Sequence, residues 1–216
     1  VFNKEFRATS SKQSIEAGIG MVHQHFMLVD NFTVLENVVL GSEGGALITE
    51  SLSKARIELK RLANEYGLEV ELDIAVEELS VGMQQRVEIL KGLYKGAKVL
   101  ILDEPTGVLT PQESDELFRI FEALKKQGVT IILITHKLRE IMSITDHVSV
   151  MRAGKMVAHR ETSQTNPEEL AELMIGRKVL LNIKKSKAKI GNTVHVDKNT
   201  EIENEQGLKR VSNVSC

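Results

Sequence analysis

Two carboxylates, Asp103 and Glu104, stand side by side where the apolar run Val99-Leu100-Ile101-Leu102 meets Pro105. An apolar strand that ends in paired acids sets them at the C-terminal edge of a parallel sheet, where open α/β folds bind ligands. The pair can divide labour: Asp103 holding Mg²⁺, usually through water, and Glu104 polarising an attacking water. A strand that simply runs into a solvated acidic turn fits the same residues.

A second segment, Leu79-Ser80-Val81-Gly82-Met83-Gln84-Gln85-Arg86, opens a helix. Ser80 can cap it, and Gly82 lets backbone N–H groups approach an anion closely. Free N–H groups and the helix dipole there make a seat for a terminal phosphate, although capped helices also begin this way without binding anything. A third, Ile132-Leu133-Ile134-Thr135-His136, delivers His136 from an apolar strand. That imidazole could donate to a phosphate oxygen, hold the attacking water, or be merely structural. A fourth, Gly20-Met21-Val22-His23-Gln24-His25-Phe26, puts the Gln24 amide after a strand, within reach of metal or water. His23 and His25 alternate like metal ligands, but with no third ligand evident they are assigned no metal.

The elements that must position these residues are legible as periodicity. Ile19–Val22, Val99–Leu102 and Val129–Ile134 are β-branched and apolar on both alternating faces, as in strands of a parallel sheet covered on each side. Helical patterns alternate with them, which predicts an α/β layered core. Thr110-Pro111-Gln112-Glu113 combines a cap, Pro at the first helical position and a capping box, ahead of an apolar stripe Leu117, Ile120, Phe121, Leu124 and a stop at Gly128. A second capped helix runs from Asn166-Pro167 to Gly176. Between the first two strands, Thr33–Leu40, Lys54–Tyr66 and Gly82–Tyr94 read as a mainly helical insertion. Asp146–Arg160 reads as two short strands about the turn Arg152-Ala153-Gly154-Lys155, and the basic run Lys184, Lys185, Lys187, Lys189 as a solvated linker.

Bulk properties narrow the class. The 216 residues carry a net charge of −2, which gives no bulk attraction to nucleic acid or to an anionic membrane. Cys216 is the one cysteine, so there is no disulfide framework and the chain reads as cytosolic. No apolar run approaches the length of a membrane span. Val1 is not an initiator Met, which suggests a start inside a longer protein.

Together the four motifs fall in one order along one α/β pattern, Ser80 to Asp103 spanning 23 positions and Asp103 to His136 spanning 33. The chain resembles the nucleotide-binding domain of ABC transport ATPases over roughly residues 1–176. Leu79–Arg86 resembles the signature motif and Leu100–Thr106 the Walker B strand with its catalytic Glu. Gly107–Thr110 resembles the D-loop, His136 the switch histidine and Gln24 the Q-loop glutamine. Val81 and Met83 depart from the commonest Leu-Ser-Gly-Gly-Gln wording, and Thr110 replaces the usual D-loop Asp. These departures, with Gly20–Val29 and Leu109–Glu113, resemble the first half of tandem-domain ATPases of simple-sugar and nucleoside importers.

The resemblance implies a P-loop NTPase-like core whose helical subdomain, about 30–95, is inserted between the Q-loop and the signature. It implies ATP and Mg²⁺ as ligands, with Gln24 and Asp103 at nucleotide and metal and with Glu104 and His136 catalytic. Ser80, Val81, Gly82, Met83 and Gln84 would face ATP held by a second ABC domain, in the same chain or a second copy. Further implied partners are transmembrane permease subunits and, indirectly, a solute-binding protein, with the ATPase peripheral at the cytoplasmic face of the membrane. No Gly-x-x-x-x-Gly-Lys-Ser/Thr loop occurs in the sequence. In the family it precedes the part that Val1–Phe6 resembles, so the expectation is a piece inactive by itself, lacking those first strands and the loop. Residues 177–193 read as a linker, and 194–216 as the opening strands of a second ABC domain or a disordered tail. A soluble ABC ATPase without a membrane partner, and a non-enzymatic fragment, are the rival readings.

Overall fold

The computed structural model describes residues 5–41, 48–178, 200–203 and 209–214. The chain divides into two units, Val1–Val179 and Leu180–Cys216. In the first, a short helix α1 (Ser11–Glu16) leads into strand β1 (Ile19–Val22). Then come helices α2 (Val34–Val39), α3 (Ile48–Tyr66) and α4 (Val81–Tyr94), strand β2 (Val99–Asp103), helix α5 (Pro111–Lys126) and strand β3 (Thr130–Ile134). Helix α6 (Leu138–Ile144), strands β4 (His147–Arg152) and β5 (Lys155–Glu161), and helix α7 (Pro167–Ile175) follow.

The sheet is parallel, in the order β1-β2-β3, with Val22, Leu102 and Leu133 level across it. Equal register at one end means that whatever follows each strand emerges on the same edge. The α/β core and the helical insertion between the first two strands are therefore as the sequence predicts. Coverage of the sheet is not. Leu100 and Leu102 are fully buried and Val22 nearly so, on the face that α4 and α5 cover. On the other face Met21, Ile132 and Ile134 are 43%, 47% and 46% exposed. An apolar residue on both faces of a strand shows that it can be covered twice, not that a described element does so.

Close approach explains two glycines. A Cβ on Gly20 would meet Ala97 Cβ at 3.0 Å and Leu100 Cδ1 at 3.2 Å, and one on Gly92 would meet that same Leu100 atom at 3.2 Å. Hydrogen at these positions lets the C-terminal half of α4 lie on β1 without displacing Leu100 or Ala97. The caps form as read: Thr110 and Glu113 make a reciprocal capping box on α5, and Asn166 accepts from the Glu169 N–H on α7. Thr33 and Glu36 make another on α2, which the sequence reading did not single out. The hairpin β4–β5 packs with α6 and α7 around a small cluster of Ile141, Val150 and Leu170.

In the second unit, strands β6 (Thr200–Glu203) and β7 (Lys209–Val214) pair antiparallel. The proposed linker falls mainly on 179–193, outside the described residues.

Candidate functional site

The aligned strand ends gather the chemistry. Asp103 is the last residue of β2, and Glu104 follows it with its N–H donating to the Ile134 carbonyl at 2.9 Å. This bond stitches the acidic turn to the end of β3. Glu104 has φ +49°, a left-handed conformation that costs a side-chain-bearing residue about 1 kcal/mol. The turn aims its carboxylate at His136, with Oε1 2.7 Å from Nδ1. An ionised carboxylate only accepts, so the ring Nδ1–H donates and Nε2 is left facing away. The Glu104 side chain is one-fifth exposed and that of His136 mostly so, which leaves the pair open on the imidazole side.

Gln24 lies two residues past β1 on the same sheet edge, exposed like His23 and His25. The structure thus brings Glu104 and His136 into contact and sets Asp103 and Gln24 along the same edge. A cleft of about 1030 Å³ runs from Glu104 and His136 along β3 toward Ser149 and Met151. Among the described residues no group of three His, Cys, Asp or Glu side chains could hold a metal. The oxygens of Asp103 and Gln24 suit a Mg²⁺ ion that keeps its waters and takes substrate phosphates for its remaining ligands.

The signature-like segment stands at the start of α4. Ser80 caps it, accepting from the Met83 N–H at 3.4 Å, and Val81 is exposed. Gly82 has a packing reason of its own, since a Cβ there would meet Glu113 Oε1 at 2.9 Å. The Glu113 carboxylate is held below its ordinary range by the backbone N–H of Thr110, its hydroxyl and the Arg86 charge. Gln84 is turned inward: its amide nitrogen donates to the Val76 and Leu79 carbonyls at 3.3 and 3.2 Å, so it braces the preceding turn.

Several residues missed in the sequence support these groups. Buried Asn37 accepts from the Val29 N–H at 2.7 Å and donates to the carbonyls of Val29, Phe32 and Thr33. Buried Glu88 on α4 accepts from the Met27 N–H at 2.9 Å, while Lys91 Nζ donates to the Met27 carbonyl at 2.9 Å. The signature helix thereby grips the segment that follows Gln24. Buried Thr106 and Glu140 join in a hydrogen bond beside Glu104. A polar side chain on an apolar helix face was the available signal for Glu88 and Glu140.

Paired acids at a strand end, a histidine from the next strand and a capped glycine helix start stand in a parallel α/β core, a class of fold that binds ligands at its strand ends. The family model described as ABC transporter matches residues 1–107. The chain belongs to the ABC transporter ATP-binding family, and the family binds ATP. It is 47% identical, over 95% of its length, to the nucleoside import ATP-binding protein NupA of Lactococcus lactis subsp. cremoris, covering 41% of that protein. It is 41% identical, over 96% of its length, to the glucose import ATP-binding protein TsgD13 of Haloferax volcanii, covering 43% of it. The chain thus spans about two fifths of these curated relatives. A crystal structure of an ATP-binding cassette of an ABC transporter in its ADP conformation superposes with a TM-score of 0.64. At 24% identity, over 81% of this chain and 75% of that one, it bears on the fold alone.

Proposed function

We propose that the chain is part of an ATP-hydrolysing subunit of an ABC-type importer that energises uptake of a nucleoside or simple sugar. The observation that carries the reading is the contact between Glu104 and His136 at the shared edge of the parallel sheet. The solute class is supported by what NupA and TsgD13 are named for.

In this reading Glu104 accepts a hydrogen bond from the attacking water and polarises it. His136 keeps that carboxylate oriented through Nδ1–H, and with both ring nitrogens protonated it would donate from Nε2–H to an oxygen of the terminal phosphate. Asp103 and Gln24 would hold Mg²⁺, which would neutralise charge on the phosphate oxygens. Ser80, Val81, Gly82 and Met83 present the α4 N-terminus to ATP held by a second ABC domain or second copy, and Gln84 braces that turn from behind. Catalysis is then positioning and charge stabilisation, with the reacting groups delivered from two domains. Permease subunits are the membrane partners, a solute-binding protein acts indirectly, and the subunit is peripheral at the cytoplasmic face. Among the described residues no helix is long and apolar enough to cross a membrane. The region 194–216 is read as the opening of a second ABC domain, with β6 and β7 supplying strands for it.

The test is Glu104→Gln in the full-length protein. Steady-state ATP hydrolysis is expected to fall about a hundredfold or more, with ATP-bound closed dimer accumulating on gel filtration. Normal turnover by that variant would remove Glu104 from the chemistry.

A further inference from the structure

We propose that Glu140 is a positioning residue for the Glu104–His136 pair, holding together the two loops that carry them. The inference rests on the ATPase reading for its activity arm only.

Glu140 lies in the first turn of α6 and is 5% exposed. Its Oε1 accepts from the hydroxyl of Thr106, which is 2% exposed and two residues beyond Glu104. Its Oε2 accepts at 2.9 Å from the hydroxyl of Thr135, the neighbour of His136. One carboxylate therefore spans both loops, one oxygen to each. The remaining bonds fix the direction of every proton. Lys137 Nζ donates to the Thr106 hydroxyl oxygen at 2.9 Å and to the Thr106 carbonyl at 2.8 Å, and lies 3.4 Å from Glu140 Oε1. The Lys137 N–H donates to the Thr135 hydroxyl oxygen at 3.1 Å. Each threonine thus accepts from Lys137 and has its single proton left for Glu140, an arrangement that requires the carboxylate as a pure acceptor.

The loop needs such a restraint. Glu104 sits in a left-handed conformation, and its backbone is bonded through Glu104 N–H to Ile134 and Gly107 N–H to the Glu104 carbonyl. A strained backbone persists where its surroundings over-determine it. Glu140 and Lys137 supply that through Thr106 and Thr135, with hydrogen bonds to these two threonines rather than to the Glu104 or His136 side chain. Glutamine in place of Glu140 brings N–H₂ against one of two hydroxyls that can only donate there, so one loop loses its anchor.

The experiment uses full-length protein with Glu140→Gln, His136→Ala and their combination. In the wild-type background Glu140→Gln is expected to lower kcat about tenfold or more, as small misplacements of reacting groups do, with KM for ATP within about twofold. On the His136→Ala background it is expected to add nothing, since the geometry it protects is already lost. Thr106→Ser keeps the hydroxyl and retains activity; Thr106→Val and Thr135→Val each reproduce part of the loss and carry the test if Glu140→Gln does not fold. An equal fall on both backgrounds, a rise in KM tracking a lowered melting point, or unchanged kcat each overturns the proposal. Nitrogen-15 shifts of the His136 ring in nucleotide-free protein give an arm independent of turnover. Glu140→Gln is expected to shift Nδ1 away from its hydrogen-bonded value, and an unmoved spectrum refutes the role. Wild-type protein that hydrolyses no ATP sinks the ATPase reading, and the ring spectrum then decides the role of Glu140 alone.

Discussion

Gly82 packs against Glu113 and, in the proposed function, also lets backbone N–H groups approach a phosphate, and a double substitution separates the two. At Gly82→Ala the new methyl would stand 2.9 Å from Glu113 Oε1 and 3.3 Å from its Cδ, so the Glu113 side chain must move. That side chain is not idle: its Oε2 takes the Thr110 N–H at 2.9 Å and the Thr110 hydroxyl at 2.8 Å. Against this cost stands a gain, because Gly82 is helical without a positive φ, and alanine there lowers the entropy of the unfolded chain. The gain is about 0.5 kcal/mol in a first turn, the lower end of the glycine-to-alanine range. For a protein of this size that is a rise of about 1–2 °C in melting temperature. In a Glu113→Ala background the clash is gone, and calorimetry should show Gly82→Ala stabilising by that amount. With Glu113 present the gain should vanish or reverse. Equal shifts in the two backgrounds would refute the packing argument. ATPase activity reads the other reason: if backbone N–H groups must approach a phosphate here, Gly82→Ala depresses turnover in the Glu113→Ala background although it no longer costs stability there.

The Glu88 grip on the post-Gln24 segment is expected to be local. Glu88→Ala removes the acceptor of the Met27 N–H, a bond worth about 1 kcal/mol because the exposed Met27 can turn to water, and hydrogen exchange should accelerate at Met27 while the amides of α7 keep their protection. Acid stability follows from the capping boxes. Glu36 and Glu113 are both held below their ordinary value of 4.5, chiefly by the N–H groups of Thr33 and Thr110. Their contribution is then complete above that value and is lost as pH falls through the lowered folded values. Combined Glu36→Gln and Glu113→Gln removes both titrating carboxylates and should flatten the decline in melting temperature below pH 4.5, and an unchanged slope would deny the capping boxes that role.

What could be read in advance was local. The strand ranges for β1, β2 and β3 agree with the sequence to within a residue, because short β-branched runs between glycine and polar stops leave little freedom. The α5 boundaries were legible for a similar reason, since Thr110, Pro111, Glu113 and Gly128 all act within a turn of the ends they define. Which face of the sheet is covered was not legible. Ile132 and Leu133 are chemically almost alike, yet one is half exposed and the other packs on the core. The difference lies in where α4 and α5 come to rest, which is a property of distant segments.

The site divides along the same line. Residue types at strand ends mark Asp103, Glu104 and His136, and parallel register then sets them on one edge whatever the intervening sequence. Adjacency of strands does not by itself produce a 2.7 Å contact, though. That requires the backbone of Glu104 to turn into a left-handed conformation and the loops on either side to hold it there. The groups that do so, Thr106, Thr135, Lys137 and Glu140, include separations of 34 residues and are individually ordinary. Gln84 shows the converse. Its place in the signature suggested an outward role, and its amide nitrogen donates instead to two carbonyls of the preceding turn. A motif therefore names which residues emerge at an edge, while the hydrogen bonds of its neighbours decide which of them are free to act.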